Sequence, residues 1–224
     1  FSALSSLVYV GSMNCGDSED EYEKSLILLC GLNRKEFSSI FLQKDKYLFY
    51  NDCFTGVYDT SIDFGEKEKY KKKITEIDNA IKKATAFKNI FVTKKRYYEV
   101  MLLKCELGLE TRAVYRSGDK KRLENLIERY AETIKKTEAF YVSFKKDWLC
   151  ENKPYGLEIQ SVRIGGLVRR LKDCRERLIA YMLGKENKIE ELEHDLLDYG
   201  CKGAASHEKP ANVVYSKAVS VNPI

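Results

Sequence analysis

An apolar seam of helical period runs through the centre of the chain. Its members recur every three or four residues on one side of a helix that we expect to run from Asp119 to about Leu149. They are Leu123, Leu126, Ile127, Tyr130, Ile134, Thr137, Tyr141, Phe144 and Trp148. A helix this long with one apolar side needs partners along its whole length, and a near-heptad spacing favours the shallow crossing angles of bundles. The sequence therefore predicts an α-helical bundle.

A second amphipathic helix follows across a short loop. Pro154 lacks an amide donor and biases Lys153 toward an extended backbone, so the first helix should end near Cys150 and the next should begin at about Glu158. We expect another backbone to approach Gly165-Gly166 closely, because two glycines in a helix otherwise cost roughly 1 kcal/mol each. Beyond this pair the apolar residues form one buried side: Leu167, Leu171, Cys174, Leu178 and Met182.

Two further helices are predicted before the long one. The first, Glu66 to Ala84, has a continuous apolar side, and its lysines form a solvated side. The second should be capped by Thr93 and continue to about Arg116 with apolar residues nearly all round, which is typical of a central helix. The turn Ser117-Gly118-Asp119 then supplies the N-cap of the long helix.

The two ends of the chain complete the predicted architecture. Capping patterns at Ser18 and Asn33 open two N-terminal helices, and a last helix is expected from Ile189 to Tyr199. The fold class is all-α: an irregular bundle of about seven helices with an aromatic-rich loop and an extended C-terminal tail. We expect a helical bundle domain over residues 1–199, in which 1–14 end a preceding domain, and a linker and docked tail over residues 200–224.

Composition excludes several classes of protein. Charged residues make up 33% of the chain, and no apolar run approaches the ~20 residues of a membrane span, so we expect no membrane partner. The net charge of +5 is a small excess for a nucleic-acid-binding protein. The seven cysteines form no CxxC pair, which predicts neither a zinc site nor a closed disulfide set and fits a reducing cytoplasm.

One group of residues has the spacing of metal ligands. Glu190, His194 and Asp198 fall four residues apart on one side of the last predicted helix. The sequence offers them no fourth ligand and no water-excluding pocket, so we predict no metal there. The chain also lacks GxGxxG, Walker, HExxH and GxSxG patterns, and we therefore predict no cofactor.

The segment from Lys46 to Phe64 keeps no helical period. Its polar residues Asn51, Asp52 and Asp59 stand among six aromatic residues. Such a loop is either a platform for sugar rings or a packed loop whose Asn and Asp side chains cap turns, and turn chemistry is the commoner of the two. A third interpretation makes Asp52 and Asp59 the acid/base pair of a stand-alone enzyme, which requires two carboxyl groups within roughly 5 to 9.5 Å.

Two blocks of sequence carry a family resemblance. The run ENKPYGLEIQSVRIGGLVRRLKDCRERLIAYMLGKENKIEELE, residues 151–193, resembles the C-terminal helical region of bacterial β-N-acetylhexosaminidases of glycoside hydrolase family 20. A second block, YLFYNDCFTGVYD, residues 47–59, is similar to a pattern of the same branch: an apolar run, Asn-Asp, a Gly and a closing Asp. The sequence departs from that branch at Ser161, where an acidic residue is expected, and around Cys53 to Thr55, where Pro or Leu is expected.

The resemblance implies a division of labour between domains. The parent enzyme would remove terminal β-linked N-acetylhexosamine, with an Asp-Glu pair on a barrel of parallel strands and the substrate's acetamido group as nucleophile. This chain contains neither the strands nor that motif. The resemblance therefore implies no catalytic residue here and an inactive fragment. It implies instead a noncatalytic domain that braces the upstream barrel, aids formation of a homodimer and lines the rim of the active site, where it contacts carbohydrate.

Six residues are the candidates for that rim or for an interface: Asn51, Asp52, Asp59, Trp148, Gln160 and Arg163. For Arg163 the alternative is an ion pair with a carboxylate inside the domain. The rival function is an independent helical module that binds nucleic acid or protein through the basic stretches Arg169 to Arg177 and Lys67 to Lys73. Interspersed acids such as Asp173 and Glu176 argue against nucleic acid.

Overall fold

A computed structural model describes residues 45–56, 58–59, 62, 65–84 and 87–195. All regular structure in these residues is helical, so the all-α prediction is confirmed. The described ranges contain six helices of six or more residues and one shorter helix: α1 (Asp45–Tyr50), α2 (Glu66–Lys83), α3 (Lys88–Lys104), α4 (Leu107–Ser117), α5 (Lys120–Glu151), α6 (Leu157–Met182) and α7 (Glu190–Glu193).

The bundle is organised around α3 and α5. Helix α3 packs against α2, α5 and α1, while α6 runs along α5 and α7 lies against α4. Three tyrosines, Tyr70, Tyr98 and Tyr130, are among the largest side chains that are fully buried. The rings of Tyr70 and Tyr98 pack on each other between α2 and α3, with 6.0 Å between centroids, and the hydroxyl of Tyr130 on α5 shares a hydrogen bond with Thr111 of α4 at 3.0 Å.

The long helix α5 forms for the reasons that its sequence indicates. The side chain of Asp119 accepts a hydrogen bond from the Arg122 amide at 3.0 Å and caps the first turn. Most of the predicted seam is buried: Leu123, Leu126, Ile127, Tyr130, Ile134, Thr137 and Phe144. Tyr141 and Trp148 are partly buried and pack against this core.

The predicted helix from Thr93 to Arg116 is two helices. Helix α3 begins at Lys88 after Phe87, whose φ of 56° is left-handed, so Thr93 lies buried in the helix interior and the predicted cap is wrong. The chain turns between α3 and α4 at Glu106, whose carboxylate accepts hydrogen bonds from the amides of Gly65 at 3.0 Å and Lys67 at 3.4 Å. Glu106 therefore satisfies free amides at the start of α2, a tertiary role that its local sequence does not show.

The loop before α6 has the predicted position, but the surroundings of the glycine pair differ from the expectation. Gly156, with φ of 91°, precedes the first helical residue, Leu157. A Cβ atom added at Gly165 or Gly166 would meet no heavy atom within 4 Å, and both glycines are exposed. The predicted close approach of another backbone is therefore wrong for the described part of the chain, because the pair faces away from the buried side of α6.

The last predicted helix is much shorter in the described residues. Helix α7 ends at Glu193, and His194 has an extended ψ of 149°. Guanidinium groups take the carbonyl oxygens at its end: Arg112 donates to Glu191 and Leu192, and Arg116 donates to Glu193. These carbonyls are satisfied without continuing the helix. The predicted helices before residue 45 and the segment beyond residue 195 lie outside the described residues.

Candidate functional site

The loop between α1 and α2 is folded around its own polar side chains. One carboxylate oxygen of Asp52 accepts hydrogen bonds from the amides of Phe54 at 2.8 Å and Thr55 at 2.9 Å, which makes a turn. Asn51 donates to Asp59 at 2.6 Å. Asn51 is 5% exposed, Asp59 is 3% exposed, and the Phe54 ring is fully buried. In these residues the loop has the geometry of a packed turn.

The second oxygen of Asp52 ties this loop to α6. Arg170 Nε donates to Asp52 Oδ2 at 2.6 Å, and Arg170 Nη2 donates to Oδ1 at 3.2 Å. The guanidinium also lies 5.6 Å from the centroid of the Phe54 ring. Burial alone would raise the pKa of Asp52, but the hydrogen bonds from Arg170 and the loop amides hold that pKa below its usual value. We call this two-point contact the Asp52–Arg170 junction.

Two buried cations, Lys104 and Arg112, donate hydrogen bonds to backbone carbonyl oxygens of α1 and of the loop. Lys104 Nζ donates to the carbonyl oxygens of Leu48 at 2.9 Å and Asn51 at 2.5 Å. Arg112 Nη2 donates to the carbonyl oxygen of Phe54 at 2.7 Å. Both charges are matched to backbone carbonyls, which is how a buried cation becomes tolerable.

The carboxyl group of Asp59 has a raised pKa. Its burial raises the pKa to about 7, although the Asn51 hydrogen bond and the nearby cations lower it. Such values often mark catalytic carboxyls. Here, however, two backbone positions lie against the group: a Cβ at Gly108 would lie 3.1 Å from Asp59 Oδ2, and a Cβ at Gly56 would lie 2.6 Å from Asp59 Cγ. The geometry favours a structural role for Asp59 over an acid/base pair with Asp52.

Trp148 organises a separate loop at the start of α6. Its indole Nε1 donates to the Lys153 carbonyl oxygen at 3.0 Å, and its ring would lie 3.3 Å from a Cβ at Gly156. The ring also packs on Phe144, with 5.7 Å between centroids. Gly156 thus leaves room for the indole, and the indole fixes the loop. Tyr155, between these two loop residues, is 82% exposed.

The six predicted rim residues divide into separate groups. Asn51, Asp52 and Asp59 share one loop. Trp148 lies near the C-terminal end of α5 and contacts the loop that leads into α6. The start of α6 is roughly 20 Å along that helix from Arg170, at 1.5 Å per residue. On α6 itself, Gln160 is buried and Arg163 is half-buried.

Sequence reasoning missed the three cations that hold the first loop: Lys104, Arg112 and Arg170. One signal was available, because Lys104 interrupts an otherwise apolar run, Met101 to Cys105, and a charge inside such a run needs a specific partner.

The basic side of α6 is paired with acidic residues. The pairs are Arg169 with Asp173, Arg170 with Asp52, Lys172 with Glu138, Arg175 with Glu128, and Arg177 with Glu186 and Glu191. On α2, Lys67 pairs with Glu106 and Glu110, Lys69 with Glu66, and Lys71 with Glu68. Phosphate binding would have to compete with these carboxylates, so the arrangement does not favour a nucleic-acid interface.

The described part of the chain also bears on metal sites, membrane-spanning helices and free thiols. That part contains no group of three or more His, Cys, Asp or Glu residues placed to hold a metal ion. His194 lies outside α7, and Asp198 lies outside the described residues. Among the described helices none has the length and apolarity needed to cross a membrane. Cys53, Cys105 and Cys174 are buried free thiols, and Cys150 is an exposed one.

Comparison with known proteins connects this arrangement to one family. A family model described as the Glycoside Hydrolase 20C C-terminal domain matches residues 33–211. A comparison with curated proteins found no match. The family match spans all the described helices, including both loops and the Asp52–Arg170 junction. The chain therefore belongs to the family of glycoside hydrolase 20C C-terminal domains.

Proposed function

We propose that this domain is a noncatalytic brace for the catalytic barrel of a family 20 glycoside hydrolase, one that resembles an exo-β-N-acetylhexosaminidase. One observation carries the proposal: the carboxylates best suited to acid–base chemistry, Asp52 and Asp59, are engaged by Arg170, Asn51 and backbone amides. The family description, which makes the domain a C-terminal part of the hydrolase, supports a partner upstream.

The shape of the domain suits a brace. Helix α5 has 32 residues and α6 has 26, so they extend over roughly 48 Å and 39 Å at 1.5 Å per residue. The Asp52–Arg170 junction fastens the first loop to the middle of α6, and Trp148 fastens the loop at its start. Helices α5 and α6 also pack against each other, and a pair of long packed helices resists bending, which is what a domain that supports another must do.

The proposal also assigns the six candidate residues roles at the active-site rim or at a dimer interface. In it, Asn51, Asp52 and Asp59 act by holding the first loop in shape. Trp148, with Gln160 and Arg163 on α6, sets the part of the surface that reaches the active-site rim and its carbohydrate, or a second copy of the chain. The buried free thiols of the described residues support a reducing cytoplasm as the compartment.

The test compares the parent protein with and without this domain, and also the domain by itself. We expect no turnover of a chromogenic N-acetyl-β-glucosaminide by the domain alone. We expect removal of the domain to lower the Tm of the parent by several degrees or to change its oligomeric state. Turnover by the domain alone would refute the noncatalytic role. A truncated parent with unchanged Tm, kcat, KM and oligomeric state would refute the brace.

The rim role is tested separately at Arg163. In the parent protein, Arg163→Ala should change KM or weaken the dimer if this side chain reaches the rim or the interface. The matched control is Lys121→Ala, an exposed cation in the first turn of α5 and away from the loop that Trp148 holds. If both variants behave like the wild type, Arg163 has only a local structural role.

A further inference from the structure

A single buried guanidinium joins the first loop, between α1 and α2, to the end of α7. Arg112 Nη2 donates to the carbonyl oxygens of Phe54 at 2.7 Å and Glu191 at 3.0 Å. Arg112 Nη1 donates to those of Leu192, at 3.0 Å, and His194. The four N–H groups on the two terminal nitrogens thus have four acceptors, one in the first loop and three in or just after α7. We call this arrangement the Arg112 node.

The node makes the two segments depend on each other. Arg112 is 8% exposed, so its charge is tolerable only while carbonyl oxygens replace the water that it has lost. If one segment moves away, the guanidinium loses acceptors and gains access to water, and its hold on the other segment weakens. Such coupling between two sites is reciprocal, because each segment stabilises the arrangement that the other needs.

A buried carboxyl group lies beside the node. Asp59 is 3% exposed and accepts a hydrogen bond from Asn51 at 2.6 Å. A Cβ at Gly108, one turn of α4 before Arg112, would lie 3.1 Å from Asp59 Oδ2. Burial raises the pKa of Asp59 to about 7, although the Asn51 hydrogen bond and the charges of Lys104 and Arg112 lower it. Asp59 therefore changes its charge near neutral pH, close enough to the guanidinium of the node to interact with it.

The charged and titratable groups around Asp59 come from five elements. They are Lys104 on α3, Arg112 on α4, and Asp52 and Cys53 in the loop, with Arg170 of α6 paired to Asp52 and the Tyr130 hydroxyl of α5 against Cys53. Burial alone would raise the pKa of Asp52, but its hydrogen bonds lower it, and burial raises the pKa of the Cys53 thiol to about 11. Near pH 7 Asp52 is therefore a carboxylate and Cys53 a thiol, and Asp59 is the acid of this group whose charge changes there.

Ionisation of Asp59 works against the closed loop. A buried carboxylate has lost most of its hydration, and opening the loop to water restores it. Because the closed form raises the pKa, it is favoured in full below the ordinary value of 3.8 and loses that advantage as the pH rises through about 7. Phe54 lies in the same loop, so an opening loop takes one acceptor away from Arg112.

We propose that the Arg112 node is a proton-controlled latch: the first loop and α7 open together, and ionisation of Asp59 favours the open form. In the closed form the guanidinium holds carbonyl oxygens of both segments. In the open form the carboxylate is hydrated and the guanidinium releases α7. Helix α7 is thus attached more firmly at pH 6 than at pH 8, whether or not the domain braces a barrel.

Hydrogen exchange of the full parent protein, read by mass spectrometry and corrected for the chemical exchange rate, tests the latch. The first loop and α7 should both exchange faster than the middle of α5, which marks a local opening. If the open form gives Asp59 its ordinary pKa of 3.8, both segments should open about tenfold more often at pH 8 than at pH 6. Exchange of α7 that does not depend on pH would overturn the latch. A common rate for the loop, α7 and α5 would also overturn it, because the opening would then be global.

Two substitutions assign the pH dependence. Asp59→Asn should abolish the tenfold increase in both segments, because an amide cannot ionise. The matched control is His194→Gln, since an imidazole titrates in the same pH range, and this variant should keep the increase. An increase that survives Asp59→Asn, or one that His194→Gln removes, would contradict the role of Asp59.

A third substitution tests the coupling without a change of pH. The Tyr115 hydroxyl accepts a hydrogen bond from the Ile189 amide at 3.0 Å and donates to Glu193, so Tyr115→Phe loosens α7 directly. We expect several-fold faster exchange in α7 and also in the first loop, whereas in an Arg112→Lys background Tyr115→Phe should affect α7 alone. The control Trp148→Phe, which alters the loop before α6, should leave both segments unchanged. An effect of the single variant Tyr115→Phe that stays within α7 would refute the coupling, even if Arg112→Lys does not fold.

Discussion

Separating Asp52 from Arg170 should destabilise this domain several-fold more than separating a surface ion pair on the same helix. The test is a double-mutant cycle with Asp52→Asn, Arg170→Gln and both together. Asparagine is the sharper substitution at position 52, because its side-chain oxygen still accepts the amide hydrogens of Phe54 and Thr55. The cycle therefore isolates the contact with Arg170 from the turn that the carboxylate also builds.

The size of the effect follows from geometry and exposure. Two unit charges at 4 Å gain about 4 kcal/mol at an effective dielectric constant of 20, before the cost of removing them from water. Exposed pairs retain about 0.2–1 kcal/mol of this, and breaking a buried pair costs about 3–5 kcal/mol. The Asp52 side chain is 15% exposed and that of Arg170 is 36% exposed, with two hydrogen bonds between them. We therefore expect a coupling free energy of about 2 kcal/mol, between those limits.

Chemical denaturation of the purified chain measures the coupling. The control cycle uses Arg169→Gln and Asp173→Asn, a pair four residues apart on α6 whose Arg169 side chain is 66% exposed, and should give about 0.3–0.5 kcal/mol. The pKa of Asp52 is lowered in the folded state, so the coupling should be present above the ordinary value of 3.8 and lost as the pH falls below it. Equal coupling in the two cycles at pH 7 would refute the special role of the junction.

Three further predictions concern the loops. Because burial raises the pKa of Asp59 to about 7, the wild type should lose stability as the pH rises from 4 to 7, and Asp59→Asn should abolish that loss, which is up to about 4 kcal/mol. Equal denaturation midpoints of the wild type at pH 5 and pH 8 would contradict this. Gly56→Ala should lower the Tm strongly, because the added Cβ would lie 2.6 Å from the Asp52 carbonyl oxygen. Gly165→Ala, where the added Cβ meets no heavy atom within 4 Å, should raise the Tm. An unchanged Tm for Gly56→Ala would contradict the tight packing of the first loop. Trp148→Phe should cost about 1 kcal/mol and speed hydrogen exchange in the loop before α6, because the hydrogen bond to Lys153 is lost; unchanged exchange would contradict the clamp.

Several helices, a cap and a loop of this protein could be predicted from the local sequence. The seam of α5 and the buried side of α6 are periodic, and a helix depends on hydrogen bonds and side-chain contacts within a few residues. The Asp119 cap and the Pro154 loop are equally local, and both stand where the sequence places them. The same holds for α2, whose predicted and observed bounds differ by one residue.

Tertiary contacts determined where other helices end and which charged residues pair. The apolar run that predicts one helix after Thr93 is interrupted because Glu106 reaches back to the start of α2. Helix α7 ends where Arg112 takes its carbonyl oxygens. Asp52 finds Arg170 across 118 positions of the chain, and no local pattern encodes a partner at that distance. A periodic sequence fixes which side of a helix is buried, but the choice of charged partner depends on which helices meet, and only the folded bundle determines that.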